Sequence, residues 1–288
     1  MSVAEIASST DDILGRLRNA AGADGVLEDA SARAFYGTDV YRAGATPLAV
    51  LRPDTVEKLQ AGVKAATDAG LAIVPRGGGA SYTDGYAAPN PASVIVDLGR
   101  LDKIVQIDER NATVTVEAGC TWASLRQALD AKGLRTPFFG PFSGIAATVG
   151  GSMAQNAISH GSGAYGISAQ SALGMDIVVA SGELVRAGAL APEAEAPFLR
   201  HYGPDLVGLF TGDCGAFGIK ARVTLPLLKK KPAAQCASFA FSTFEGLHET
   251  MRAVALEGLD DENFAVDAVL MQGQIARSDN AGARAQMA

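Results

Sequence analysis

Hydrophobic positions change period several times along the chain, and each change marks an element. Ile13, Leu14 and Leu17 share one helical face between Ser9 or Thr10, either of which suits an N-cap, and Gly22, which suits a stop. "PLAVL" at 47–51 is a short apolar run of the kind that makes a buried strand. Pro53, Asp54 and Thr55 then introduce a helix on which Val56, Leu59, Val63 and Ala66 recur at helical spacing before Gly70. "LAIV" at 71–74 returns as a buried strand. Strand, helix and strand within about thirty residues predict a βαβ unit.

"SVIVDL", "KIVQID" and "TVTVEAG" read as three more strands, the last two alternating enough to expose one face. A helix is expected from Thr121, with Trp122, Leu125, Ala128 and Leu129 on its apolar face and Gly133 at its end, which puts the single Trp in the core. From 136 to 166 periodicity gives way to Gly, Ser and Ala, yet the segment is too apolar for a disordered linker; long irregular segments in compact domains are usually functional. "MDIVVA" and "ELVRAG" predict a hairpin closed by Ser181-Gly182. A glycine cluster, "LFTGDCGAFGIKARVTLPL", follows at 209–227. Beyond it, "QCASFAFS", "TFEGLHETMRAVALEG" and "FAVDAVLM" read as strand, helix and strand, the start of another domain, and the tail "GQIARSDNAGARAQMA" is expected to be disordered.

Composition narrows the classes. At 288 residues the chain has room for one large domain or two smaller ones, and 48% apolar with 19% charged residues is a soluble, globular mixture. The formal net charge of -7 argues against a general nucleic-acid surface, and the one basic run, Lys229-Lys230-Lys231, reads as a solvated turn. Cys120, Cys214 and Cys236 are odd in number and lack a CxxC spacing, which fits a reduced, cytoplasmic chain. The N-terminus does not have the basic then apolar pattern of a signal peptide, and no run approaches the about 18 apolar residues of a transmembrane segment. The sequon Asn111-Ala112-Thr113 carries little weight in a cytoplasmic chain.

The stretch with most chemistry is "IVPRGGGASYTDG", from Ile73 to Gly85. It lacks the lysine of a P-loop, and Tyr82 breaks a GxGxxG pattern there. A GxGxxG does occur at 161–166, but polar "QNAISH" precedes it where a dinucleotide fold needs a buried strand. A nest of backbone N–H groups around an anion remains: Gly77, Gly78 and Gly79 permit it, Ser81 adds a hydroxyl, and Arg76 either supports the loop or offsets negative charge. An ordinary tight turn is the alternative. His201 and His248 lack metal-ligand spacing, Glu245, His248 and Glu249 read as a solvated helix face, and no metal is expected.

"VPRGGGAS", the alternating strands ending in "EAG", "ATVGGSMAQNA" leading to "YG", and "LFTGDCGAFGIKARVTLPL" occur in this order between Tyr36 and Leu227. Together they resemble the flavin-binding portion of the vanillyl-alcohol oxidase and p-cresol methylhydroxylase superfamily, the fold also used by flavin-dependent D-lactate and glycolate dehydrogenases. The resemblance implies that Arg76, Gly77, Gly78, Gly79, Ala80 and Ser81 wrap the pyrophosphate of FAD, with Pro75 shaping the entry. It likewise implies that Pro141, Ser143, Thr148, Gly150, Gly151, Asn156 and Ala157 run along the flavin and its ribityl chain. Gly161, Tyr165 and Gly166 would complete that wall, and Gly218 and Ile219 would close over the cofactor. His160, inside the flavin-facing segment, is the one catalytic candidate, with a surface or structural role as its alternative.

Two departures from the superfamily bear on this. Ala80 stands where some relatives carry the histidine bonded to the flavin, so noncovalent FAD is expected. Asp213 and Cys214 stand where relatives often read Ser-Glu. The expected architecture is α+β: a helical lead-in over 1–30, a two-subdomain FAD-binding fold of the p-cresol methylhydroxylase type over 31–228 (about 31–102 and 103–228), and an incomplete α+β cap over 229–288. The activity implied by the resemblance is that of an FAD-dependent oxidoreductase, an oxidase or dehydrogenase, oxidising a small alcohol such as the 2-hydroxy acids D-lactate or glycolate by hydride transfer to flavin. The alternative is an FAD-binding subunit or truncated module that needs a partner subunit, or a homo-oligomer, to complete the active site. Neither the electron acceptor nor the substrate is specified by any residue pattern.

Overall fold

A computed structural model describes residues 3–188, 199–201, 203–258, 260–267, 269–270 and 272, and the chain divides into two compact units, 1–235 and 236–288. In the first unit, α1 (Val3–Ala21), β1 (Val26–Leu27), α2 (Ala30–Tyr36), β2 (Ala49–Leu51), α3 (Val56–Asp68), β3 (Ala72–Arg76) and β4 (Ser93–Asp97) build a four-stranded sheet and its cover. The strand order is β1-β2-β4-β3, with β4 parallel to both of its neighbours. The predicted βαβ is present, but β4 lies between its two strands. Alternation along these strands sorts the core: Ala49, Leu51, Val94 and Val96 pack with Leu17 of α1 and Leu59, Val63 and Ala66 of α3, while Val50, Val74 and Ile95 pack with Tyr86 and Ala88. Thr55 caps α3 as expected, its hydroxyl accepting the Lys58 N–H, and Gly70 follows the helix at φ 69°. Helix α1 begins ahead of Ser9 and Thr10, so neither caps it.

A second, five-stranded antiparallel sheet is built from β5 (Ile104–Asp108), β6 (Thr113–Glu117), β8 (Gly174–Val178), β9 (Leu184–Ala187) and β10 (Ile219–Pro226). Its order is β5-β6-β10-β8-β9. The edge strand β5 exposes a face as expected, with Val105 at 49%, but β6, paired on both edges by β5 and β10, is buried at every position except half-buried Thr115. Its polar positions are accommodated within the sheet: Thr115 bonds Thr224 across the strands at 2.9 Å, and Glu117 accepts the Lys103 N–H at 2.9 Å. The β8–β9 hairpin turns at Gly182 (φ 83°).

Helix α4 (Trp122–Asp130), capped by Thr121, places Trp122, Leu125 and Leu129 against Val114, Val116, Val223 and Leu225 of this sheet. Short β7 (Leu134–Arg135) pairs with β11 (Leu228–Lys229), so the basic run starts on a strand rather than in a turn. The segment read as irregular contains α5 (Val149–Gln155) and one-turn α6 (Ser162–Tyr165); its Gly-Gly pair and alanines hide a helix too short to show periodicity. One-turn α7 (Leu206–Leu209) precedes the second glycine cluster.

The second unit contains α8 (Phe244–Glu257), capped by Thr243. Its flanking "QCASFAFS" and "FAVDAVLM" form no strand among the described residues. A strand needs a neighbour to satisfy its N–H and C=O groups, and among the described residues these two runs do not pair with each other. The tail expected to be disordered lies outside the described residues. No helix among the described residues is long and apolar enough to cross a membrane.

Candidate functional site

Strand β3 delivers Arg76 into the glycine loop, and the arginine side chain turns inward. Its guanidinium stacks over Tyr86 (4.7 Å), Tyr36 (5.4 Å) and Phe35 (5.5 Å), and donates to the carbonyls of Thr38 (2.8 Å) and Tyr36 (3.3 Å). Arg76 therefore supports the loop from behind. Gly79, at φ 64°, folds over that guanidinium so closely that a Cβ would overlap it. Farther along, Tyr86 donates to the Ser81 carbonyl at 2.8 Å, and Asp39 accepts the N–H groups of Tyr41, Arg42 and Asp84. Burial works against the Asp39 charge, yet these donors outweigh it and hold the carboxyl below its usual range.

The bare backbone of the loop faces the chain's own 146–151 segment. A Cβ on Gly77 would come to 2.5 Å from the Thr148 hydroxyl, and one on Gly78 would overlap the Ala146 carbonyl. Thr148 caps α5 by accepting the Gly151 N–H at 3.2 Å. Val149 and Gly150 donate to the carbonyls of Cys120 and Ala118, both at 2.9 Å, and Ser152 donates to Thr148 at 3.0 Å. The first-turn donors of α5 are thus used internally. Pro141 and Ser143 shape the preceding turns, their carbonyls accepting the N–H groups of Gly144 (2.9 Å), Ala146 (2.9 Å) and Ala147 (2.8 Å).

At the other end of α5, Asn156 adopts the left-handed conformation (φ 52°), and the second glycine cluster docks there. Gly212 donates to the Met153 carbonyl and Cys214 to that of Ala154, both at 2.9 Å. Gly215 packs so tightly on Pro75 that a Cβ would overlap the ring. Gln155 bridges the two loops, accepting from Thr83 at 2.9 Å and donating to the Cys214 sulfur at 3.5 Å. Ser81 in turn bonds Thr83 at 2.9 Å. Gly218 and Ile219 enter β10 against Ile177 and Val178. Pairwise contacts of Gly77 with Thr148, of Gln155 with Cys214 and of Gly215 with Pro75 thereby tie the glycine loop, α5 and the second cluster together.

His160 is part of an aromatic stack. Its ring lies parallel to Phe139 at 5.6 Å and edge-on to Phe142 at 4.8 Å, and its carbonyl accepts the Phe139 N–H. Arg135 continues the stack between Phe139 (4.9 Å) and Tyr165 (5.4 Å). Gly161 sits against the Pro137 carbonyl, Gly166 against Gln170, and the Ala157 carbonyl accepts the Ser168 N–H, so this wall is organised by its own packing.

Three features were not singled out from sequence: the Gln155 bridge, the orphaned Ser159, and a buried ion pair between Asp213 and Lys220. Gln155 and Ser159 are ordinary polar residues with no motif. The ion pair did leave a signal, since Lys220 is one of two charges, with Arg222, in the otherwise largely apolar run that becomes β10.

The cofactor implied by the motifs can be tested against this geometry. Among the described residues, the backbone N–H groups of Gly77, Gly78, Gly79 and Ala80 have no acceptor, which suits the anionic oxygens of a pyrophosphate. Asn156 Oδ1 and Ser159 Oγ are buried without a partner, and would accept from ribityl hydroxyls or a ring N–H. These donors and acceptors fit FAD. Burial pushes the thiol of Cys120 up to about 11, which keeps it protonated near neutral pH.

Residues 47–188 match the family model described as FAD binding domain. Among curated proteins, glycolate oxidase subunit GlcD of Bacillus subtilis is 26% identical over 85% of this chain and 50% of its own length. D-2-hydroxyglutarate dehydrogenase of Xanthomonas citri is 30% identical over 76% of this chain and 45% of its own. The mitochondrial D-lactate dehydrogenase [cytochrome] 1 of Saccharomyces cerevisiae is 28% identical over 75% and 36%. In three dimensions, p-cresol methylhydroxylase superposes with a TM-score of 0.71 at 23% identity, covering 86% of this chain and 48% of that one. The chain spans about half the length, or less, of the curated relatives it matches.

Proposed function

The chain carries an FAD-binding domain with the p-cresol methylhydroxylase type of fold, and from that premise we propose that it serves the oxidation of a small alcohol, of the 2-hydroxy acid class that includes glycolate and D-lactate. The observation that carries this reading is the row of acceptor-free N–H groups at Gly77–Ala80 together with the partnerless buried atoms Asn156 Oδ1 and Ser159 Oγ. The substrate class is supported by the relatives, whose names share a hydroxyl on the carbon next to a carboxylate. FAD supplies the hydride acceptor when bound.

The protein's part is binding and orientation. The N–H groups of Gly77–Ala80 hold the pyrophosphate without a cationic side chain, because the Arg76 charge is enclosed by three aromatic rings. Asn156 and Ser159 fix the donor-bearing part of the cofactor, and the Gln155 bridge sets the spacing of the two loops. FAD is held noncovalently, in keeping with Ala80.

A second reading, a module completed by a partner chain, is favoured by apolar side chains of the second unit: Phe239, Phe244 and Leu256 are each more than 70% exposed, at 75%, 74% and 73%. The test is to load the chain with FAD and screen glycolate, D-lactate and D-2-hydroxyglutarate with an artificial electron acceptor, alone and with candidate partner chains. Reduction by one of these acids supports the substrate class, and reduction by none of them in either setting removes it. Efficient turnover by the chain alone removes the second reading.

A further inference from the structure

The turn from Gly212 to Phe217 is held from the inside by a carboxylate. Asp213 Oδ1 accepts the Gly215 N–H at 3.0 Å and the Lys220 ammonium, and Oδ2 accepts the Phe217 N–H at 3.3 Å. Lys220 also reaches the Gly218 carbonyl at 3.4 Å. Both side chains are removed from solvent, Lys220 to 3% and Asp213 to 1% exposure. Such a pair is costly to desolvate, and removing one partner alone leaves the other charge buried and uncompensated.

The pair specifies the outer face of the turn. That face meets the end of α5 through Gly212 and Cys214, and the mouth of the glycine loop through Gly215 on Pro75. Cys214 is held at φ 51°, an unfavourable conformation for a residue with a side chain, and its neighbours must impose it. Burial lowers the Lys220 pKa while the Asp213 hydrogen bond opposes the fall, so the ammonium depends on this partner. With both charges removed from solvent, the acid and the lysine have to be present together: either alone leaves a buried charge unpaired.

We propose that Asp213 and Lys220 are positioning residues that act as one unit, fixing the 212–217 turn against Pro75 and α5 and so setting the cofactor-binding geometry of the glycine loop. This rests on the FAD reading above.

Cys214 is an exposed thiol on the turn and reports its position without any cofactor. In a Cys236→Ser background, its rate of reaction with an aromatic disulfide is measured beside the FAD dissociation constant from flavin fluorescence. Asp213→Asn and Lys220→Met each speed the thiol reaction and weaken FAD, by tenfold or more. The double variant Asp213→Asn/Lys220→Met, which buries a neutral pair, recovers most of both. Should a single variant fail to fold, Asp213→Glu keeps the charge but displaces the carboxylate by one methylene, and raises both quantities several-fold. Unchanged thiol rates and FAD affinity in the folded variants, or losses that simply add in the double variant, overturn the proposal while leaving the FAD reading intact. A parent chain that takes up no FAD overturns the cofactor reading and this proposal with it.

Discussion

The Ala146 carbonyl oxygen occupies the space that a Cβ on Gly78 would need. The glycine run is therefore required first by the chain's own folding, since it lets the 146–151 segment settle on the loop, and only then by a ligand. The two demands are linked: with one face of the loop sealed by Ala146 and Thr148, the acceptor-free N–H groups are fixed in place before any anion arrives.

Gly78→Ala therefore lowers the stability of the cofactor-free chain. The clash is with backbone that cannot rotate away, and overpacking of this kind costs about 1–3 kcal/mol. Thermal unfolding without FAD checks it, with a drop of several degrees expected. An unchanged melting temperature combined with lost FAD binding would mean that Gly78 is kept bare for the ligand alone.

His160→Phe keeps the aromatic stack with Phe139 and Phe142 and removes only the imidazole nitrogens. If packing is the role of His160, FAD affinity and turnover stay within about threefold of the parent, whereas loss of a general base typically costs about 100-fold or more. Steady-state kinetics of the loaded protein, with whichever partner it needs, separate the two.

Burial disfavours the Cys120 thiolate and pushes the thiol up from the ordinary 9.0 to about 11 in the folded chain. Its folded pKa is raised, so its contribution to stability is complete below pH 9 and is lost as pH climbs through about 11. Denaturant midpoints taken across that range fall more steeply in the parent than in Cys120→Ala. At neutral pH a thiol reagent should modify Cys214 and Cys236 and leave Cys120 intact until the chain unfolds.

Much of this was legible in the chain, and the reasons are local. Thr55, Gly70, Thr121 and Gly133 bound two helices because caps and stops act within a few residues, and Ser181-Gly182 closes its hairpin for the same reason. The strands anticipated at "QCASFAFS" and "FAVDAVLM" are absent from the described residues, since a strand depends on a neighbour that composition cannot supply. In the candidate site, the four segments brought together by the fold were marked by their glycines. What those glycines touch was not, because Ala146 and Pro75 approach them from far along the chain. Arg76 shows the same limit: its charge next to GGG suggests a phosphate ligand as readily as a prop, and the rings of Phe35, Tyr36 and Tyr86 that surround it leave no signal beside it in the sequence.

The most direct test of the account is the absorption spectrum of the purified chain after incubation with FAD and gel filtration. Flavin bands that travel with the protein at about one cofactor per chain, and that separate from it on denaturation, are the predicted result. A colourless protein peak, with all added FAD eluting as free cofactor, would contradict it.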